Sequence, residues 1–342
     1  MKFLVTGGLG FVGSNLAAKL IELNSDPFIF DNMSRTGCGA NHLWLKSKGN
    51  FNFIRGDIRS TSNIETIIRD IKPDVIFHLA GQVALTCSIE EPKHDFEVNA
   101  LGTLNVLEAV RKYSPRSIVC FSSTNKVYGD LAGIKYRELA SRYEAIDYPD
   151  GFDESLRLDF SGPYGCSKGT ADQYVVNYSR VYGIRTIVFR HSTIFGLRQF
   201  STFDQGWVGW FAREAISKSK TNSIEPISVA GNGKQVRDIL FSSDLVSCYF
   251  SALDNISKTS GKVYNIGGGK SNSLSIIELL EILSEQLKIK FNVKLSNPRP
   301  FDQKIFISDF SAAKNDFAWE PKVSKFEGIE QVTSWLRDQS FE

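Results

Sequence analysis

The chain has 342 residues, 42% hydrophobic and 23% charged, and a net charge of +2. That balance excludes a disordered chain and leaves no general electrostatic case for a nucleic-acid partner. No run of about 18 apolar residues marks a membrane span, the short apolar start leads into a folded motif rather than a signal peptide, and five scattered cysteines and four histidines without ligand spacing point to a reduced, cytoplasmic, metal-free protein.

Phe3-Leu4-Val5 reads as a buried strand, and residues 15–23 as a helix with Leu16, Ala17, Leu20, Ile21 and Leu23 on its apolar side. Further strands are expected at 28–30, 52–55, 75–79, 117–121 and 186–189, with helices over 64–70, 98–113 and 164–182. Near-continuous apolar strands alternating with helices predict an α/β fold with a parallel, doubly wound sheet. The polar stretch 129–159 is expected to be an insertion or a lid loop at the mouth of a site. After about residue 195 the pattern changes to an aromatic-rich stretch with Phe200, Phe203, Trp207, Trp210 and Phe211, then a helix over 274–287, a short strand at 291–294 and a break at Pro298-Arg299-Pro300. We expect residues 1–195, completed by part of 235–265, to form one domain, and 196–342 mainly a smaller α/β domain that holds the substrate.

The turn Gly7-Gly8-Leu9-Gly10-Phe11-Val12-Gly13 follows the first strand and opens the first helix. Glycines at this spacing let backbone turn tightly and approach a pyrophosphate, while the helix start at Phe11 and Val12 supplies N–H groups and a positive dipole end. Asp31 ends the next strand, where a carboxylate accepts from ribose hydroxyls and repels a 2′-phosphate. A Rossmann domain binding NAD is therefore expected. Arg35 is the competing signal, because it suits a phosphate. Asp57-Ile58 lies where an adenine edge would sit, with a helix cap as the alternative for Asp57. Leu79-Ala80-Gly81-Gln82 closes the fourth strand with small residues, as a dinucleotide or a plain tight turn requires.

Tyr164 and Lys168 stand at i and i+4, about 6 Å apart on one helix face. A free phenol titrates near about 10 and is a poor base. A neighbouring ammonium and a positive nicotinamide are expected to lower it into use. Thr124, or else Ser123, ends the fifth strand and is expected to hydrogen-bond the reacting alcohol. Arg237 and Arg299 are candidates for a diphosphate, since guanidinium groups grip phosphate oxygens two at a time; a salt bridge to Asp238 is the alternative for Arg237. Phe203 and Trp207 either stack on a base or sugar or belong to the core. Ser192 and Thr193 are placed to face a sugar or pyrophosphate. Lys126 is either near the active centre or a solvated loop charge, and His191 reads as a packed strand-end residue rather than a base.

Gly7-x-x-Gly10-x-x-Gly13, His78-Leu79-Ala80, Asn99-x-x-Gly102-Thr103, Ser122-Ser123-Thr124, Val127-Tyr128-Gly129, Tyr164-x-x-x-Lys168 and Val236-Arg237-Asp238 occur in this order. Over nearly its whole length the chain thus resembles the extended short-chain dehydrogenase/reductase family. The resemblance implies a tightly held NAD, touched also by Asn32, Ser34, Asn99 and Ser122, and a triad of Thr124, Tyr164 and Lys168. It implies a sugar nucleotide between the domains, near Gln82, Asn125, Lys126, Ser192, Gln205, Arg237 and Arg299, and a homo-oligomer formed through the 98–113 and 164–182 helices. The stretches 122–130, 198–200 and 204–210 are most similar to the family's epimerases acting at C2 of a CDP-linked 3,6-dideoxyhexose, a step of lipopolysaccharide sugar synthesis. Family dehydratases carry an Asp-Glu pair after the threonine, whereas Asn125-Lys126 stand here, which implies epimerisation rather than loss of water. The alternatives are a C4 epimerase of a UDP- or other nucleotide-hexose and a non-catalytic NAD-binding regulator.

Overall fold

Strands β1 (Phe3–Thr6), β2 (Phe28–Asp31), β3 (Asn52–Arg55), β4 (Val75–His78), β5 (Ile118–Thr124), β6 (Arg185–His191) and β7 (Lys262–Ile266) pair in parallel as one sheet of order 3-2-1-4-5-6-7. The computed structural model describes residues 1–221 and 223–339, so the end of the expected 196–342 domain lies outside the described residues. A parallel sheet needs apolar cover on both faces. On one face Leu4, Ile76, Val119 and Val188 pack against Ile68, Leu107 and Val175 of helices Thr61–Ile71, Gly102–Tyr113 and Gly162–Tyr182. On the other, Val5, Phe77, Cys120 and Phe189 meet Leu16 and Leu20 of helix Phe11–Glu22 and Leu245 and Tyr249 of helix Ser242–Asp254. Strand order reverses between β1 and β4, and such a reversal opens a crevice at the carboxyl ends of the strands.

The second lobe is built on a mixed sheet of Thr193–Phe195, Val236–Phe241, Ser273–Ser275 and Ile305–Phe306. Helices Trp207–Thr221, Ile276–Leu287 and Lys325–Arg337 bury Val208, Phe211, Leu279, Leu283, Ile329 and Val332 in its core. Helix Ser242–Asp254 and β7 return to the first lobe, and Ala313, Phe317 and Trp319 pack in the same core as Val5.

Two expectations need correction. The 129–159 stretch is not a lid: it forms the hairpin Tyr136–Glu138 and Tyr143–Ala145, buries Leu131, Ala145 and Phe152 beside Tyr128 and Phe306, and lines neither cavity described below. Its apolar side chains are spent on packing, which polarity alone did not reveal. The helix expected from Val98 begins as a π turn over Glu97–Leu101 and becomes α-helical at Gly102. Wide turns of this kind accompany functional sites, and this one buries Asn99.

Candidate active site

A cavity of about 410 Å³ lies over the carboxyl ends of β1, β2 and β4. Gly7 has φ +68°, and a Cβ there would meet the Ala80 nitrogen at 2.7 Å; one at Gly13 would meet the Gly7 carbonyl oxygen at 2.2 Å. The protein's own backbone therefore demands these two glycines. Gly10 differs, because a Cβ there would meet only the Gly7 oxygen, at 3.2 Å, and the residue borders open cavity. Helix Phe11–Glu22 starts at this point with no capping side chain and no acid in its first turn. Its positive end is thus left for a ligand, and the cradle fits a dinucleotide pyrophosphate.

Asp31 is buried and accepts from the backbone nitrogens of Leu9 (3.0 Å) and Met33 (2.7 Å), while burial raises its pKa. It shapes the glycine turn as well as lining the cavity. Asn32 and Ser34 line it too; Asn32 donates to Asp57 (3.0 Å) and accepts from the Ser34 nitrogen (3.0 Å). Asp57 is an ion-paired rim residue: its hydrogen bonds to Arg59, 2.9 Å away, hold the carboxyl down to about 2. Arg35, Ile58, Leu79, Ala80, Gln82 and Ser122 complete the wall.

A second cavity of about 340 Å³ adjoins the first, and Phe11, Val12, Val83, Ser122, Gln199 and Gln205 line both. Tyr164 and Thr124 stand in it. Helix Gly162–Tyr182, with Pro163 at its start, presents Tyr164 in its first turn. Burial pushes the phenol up to about 12, against a hydrogen bond from Thr124 that favours phenolate. The hydrogen bond to the phenol comes from Thr124, not from Lys168. The Lys168 ammonium instead donates to the Ser122 carbonyl and lies 4.4 Å from the Phe121 ring centre, and burial lowers it to about 8. Ser123 is removed as a rival to Thr124, because its hydroxyl donates to Asp172 (2.7 Å), which Arg190 grips through two nitrogens at 2.8 and 2.9 Å. The His191 ring bonds the Ser122 hydroxyl (3.2 Å) and the Tyr249 hydroxyl (3.1 Å), and burial depresses it to about 3, so it stays neutral and is no base at working pH.

At the far end of the second cavity, Lys126 and Arg237 share one oxygen of Asp302, at 3.1 and 2.7 Å. Arg237 does not pair with Asp238, which is buried and accepts from Ser192, the Gly269 nitrogen and the Ser308 nitrogen. Arg299 donates to the Phe203 carbonyl (2.7 Å) and sits 4.8 Å from the Phe203 ring centre. Burial lowers Lys126 to about 8 in spite of Asp302. Against its own burial, Asp302 is held down to about 2 by Lys126 and Arg237. Three cations facing one carboxylate suit a diphosphate. Phe203, Trp207 and Phe211 all line this cavity, with the Trp207 indole N–H donating to Thr193 (3.3 Å) and Phe211 otherwise buried in the core of the second lobe.

A family model described as GDP-mannose 4,6 dehydratase matches residues 4–332. The chain belongs to this family of NAD-dependent epimerases and dehydratases. It is 49% identical to CDP-paratose 2-epimerase of Salmonella typhi over 335 residues, 98% of this chain and 99% of the relative. Its fold matches UDP-glucose 4-epimerase of Thermotoga maritima, solved with UDP-glucose, at a TM-score of 0.82 and 28% identity, covering 98% of this chain and 99% of that one. It matches UDP-glucose 4-epimerase of Thermus thermophilus, solved with NAD, at a TM-score of 0.80 and 25% identity, covering 99% and 100%.

Most residues of this epimerase–dehydratase chain expected at a ligand do reach one cavity or the other, but four need qualification. Asn99 lines neither; its amide nitrogen donates to the Gln82 carbonyl (3.0 Å), Asp95 (3.1 Å) and Ser167 (3.1 Å). Lys168 lies behind the wall, at Ser122. Gln82, expected at cofactor and substrate alike, lines only the cofactor cavity, its side chain held by Ala84 and Asp95. Ser192 reaches the substrate cavity, yet its hydroxyl is committed to Asp238. Sequence reasoning missed Gln199, Gln303, Asn41 and Asp95. Gln303 accepts from the Asn125 amide (3.2 Å) and donates to the Gly129 carbonyl (2.7 Å). Asn41 donates to the Leu9 carbonyl (3.0 Å) and accepts from Arg198 (2.9 Å), tying the glycine turn to the second lobe. No motif marks it, and helix Cys38–Lys48 that carries it was not anticipated.

Proposed function

We propose that the protein is an NAD-dependent nucleotide-sugar epimerase that inverts C2 of CDP-paratose to give CDP-tyvelose, or acts on a close CDP-sugar. The observation that carries the reaction is the meeting of two cavities beside Tyr164 and Thr124. Identity of 49% to a CDP-paratose 2-epimerase supports the nucleotide and the carbon. The open cradle at Gly10 and the carboxylate of Asp31 favour NAD as the dinucleotide. When bound, it supplies reversible acceptance and return of a hydride.

Tyr164 takes the proton from the reacting hydroxyl and later gives it back. Thr124 donates to the phenolate and so stabilises the base form. Burial raises the phenol, so positive charge in the cofactor cavity would favour the phenolate and aid proton removal. Lys168 places one fixed positive charge behind that wall. Lys126, Arg237 and Arg299 grip the diphosphate outside the reacting ring, which lets the sugar present its other face without leaving. Asn125 and Lys126 offer no carboxylate for eliminating water.

The test is incubation with CDP-paratose and with UDP-glucose, followed by proton NMR. Inversion of CDP-paratose at C2 alone is expected; inversion of UDP-glucose at C4 replaces the substrate assignment. Tyr164→Phe is expected to cut kcat by about 10²–10⁴-fold while the dinucleotide, released by denaturation and identified by mass, is retained. Unchanged turnover in that variant removes Tyr164 as the base. Bound NAD in a native protein inert on every sugar nucleotide favours a regulator.

The same reading places the chain in the cytoplasm, supplying sugars for lipopolysaccharide O-antigen. It also makes the chain a homo-oligomer, because Leu101, Tyr174, Val181 and Tyr182 leave large apolar groups exposed around the Gly102–Tyr113 and Gly162–Tyr182 helices. Sedimentation as a monomer at micromolar concentration removes that last element.

A further inference from the structure

Asp95 is 1% exposed on the short helix Pro92–Phe96 and lines neither cavity. Three side chains from three elements converge on its carboxylate. The Gln82 amide donates at 3.0 Å from the loop after β4, the Asn99 amide at 3.1 Å from the π turn, and the Ser167 hydroxyl from the helix that carries Tyr164 and Lys168. Gln82 and Asn99 can only donate, and both donate to the same carboxylate oxygen; burial raises the carboxyl, while the Ser167 and Gln82 hydrogen bonds and the Lys168 charge favour its ionised form. Asn99 also clamps the Gln82 backbone in both directions, accepting from its nitrogen and donating to its carbonyl at 3.0 Å each. The wall segment Gly81–Gln82 is thereby fixed against the catalytic helix, and a Cβ at Gly81 would lie 3.8 Å from the Lys168 nitrogen.

We propose that Asp95 is a positioning residue for this reaction: it bolts the Tyr164–Lys168 helix to the Gly81–Gln82 wall and supplies an unpaired negative charge facing that pair. The proposal rests on the reading of Tyr164 and Lys168 as the reacting pair. The charged groups that influence Lys168 are Asp172 and Asp95, and Asp95 in turn feels the Lys168 ammonium and the His94 ring beside it. Asp172 is already paired with Arg190, and the nearby His78 and His191 rings are neutral, depressed to about 3 by burial. Tyr164 feels Thr124, Asp95 and Arg35. Asp95 is the carboxylate in this set without an ion pair. Its charge favours ammonium on Lys168 and disfavours phenolate on Tyr164. Removing the charge makes both groups lose their protons at lower pH.

Asp95→Asn and Asp95→Ala separate the two roles. In the amide variant one oxygen still accepts from Gln82 and Asn99, while the NH₂ donates to Ser167. The bolt survives and only the charge is lost. Purified full-length protein with its bound dinucleotide is assayed for kcat and KM across pH, with thermal melting and dinucleotide content measured alongside. For Asp95→Asn, both limbs of the kcat/KM profile are expected to move to lower pH, with KM unchanged. For Asp95→Ala, kcat is expected to fall about 10- to 100-fold with KM for the nucleotide sugar unchanged, because Asp95 lies outside the substrate cavity. Should the alanine variant fail to fold, Ser167→Ala removes the hydroxyl that joins this helix to Asp95 and Asn99 and is expected to lower kcat without raising KM. A pH profile for Asp95→Asn that superimposes on the native one overturns the electrostatic role. Full kcat in a folded Asp95→Ala, or in Ser167→Ala where that variant stands in, overturns the bolt. If Tyr164→Phe remains active, the pair itself is wrong, which is a failure distinct from either.

Discussion

The two cavities are built in opposite ways. The cofactor cavity has a backbone floor, made by the glycine turn, Ala80 and Gly81, and the start of a helix with no capping side chain. It follows from strand order, and its recognition relies on dipoles and close approach. The substrate cavity is walled by side chains gathered from distant segments. Lys126 and Asp302 are 176 residues apart, Asn125 and Gln303 178. It recognises by placed charge. On a scaffold of this kind, a local backbone turn and a set of side chains gathered from distant segments can change independently of each other.

The glycine turn offers the largest effect with which to break that contrast. Gly13→Ala sets a Cβ 2.2 Å from a backbone oxygen that has nowhere to go. We expect destabilisation at the upper end of about 1–3 kcal/mol or beyond, read as a lower Tm, together with loss of the dinucleotide. Gly10→Ala meets one oxygen at 3.2 Å, so its Tm should stay near the native value while dinucleotide content falls. Full retention of dinucleotide in Gly10→Ala means that the open space at Gly10 is not the pyrophosphate cradle.

On the substrate side, Arg237→Ala removes one of the three cations. A hydrogen bond to a charged group is worth about 1.5–3 kcal/mol, so KM should rise about 10- to 150-fold with little change in kcat. A fall in kcat at unchanged KM would place Arg237 at the reacting carbon instead. A finer separation comes from two lysines, one in each region, that burial lowers to the same value of about 8. As pH rises through 8, loss of the Lys126 charge should raise KM, and loss of the Lys168 charge should lower kcat. Lys126→Arg keeps its charge far above that range. It should flatten the alkaline rise in KM and leave the alkaline fall in kcat untouched. If both limbs respond together, the two cavities are not electrostatically separate.

The same contrast decides what the sequence disclosed. The sheet, the glycine turn, Asp31 and the Tyr164–Lys168 spacing are local patterns, legible because each depends on neighbours a few residues away. Thr124 is preferred over Ser123 on sequence, but Ser123 stays a competitor until Asp172, paired with Arg190, is seen to take its hydroxyl. Lys126 had no readable fate because its partner Asp302 lies in the other lobe. Asp95 and Asn41 carry no motif; their importance is that buried amides and hydroxyls converge on them, a property of the tertiary fold alone. Tyr164 shows the same limit. Spacing put an ammonium near a phenol, but it did not show that the ammonium turns to the Ser122 carbonyl or that burial raises the phenol.

The smallest expected effect tests whether aromatic residues of the second lobe contact the ligand or serve the core. Phe203 is 47% exposed at the substrate cavity, and Phe211, eight residues on, is 4% exposed in the core. Phe203→Leu removes a ring but keeps the backbone carbonyl to which Arg299 donates. Stacking on a base or sugar is worth about 0.5–1.5 kcal/mol, so KM should rise about 2- to 12-fold with Tm unchanged. Phe211→Leu, at a ring that is 4% exposed, should act mainly on stability, lowering it by about 1 kcal/mol. If Phe203→Leu lowers Tm and leaves KM alone, the ring is packing that happens to be half exposed, and recognition on this side rests on the cations alone.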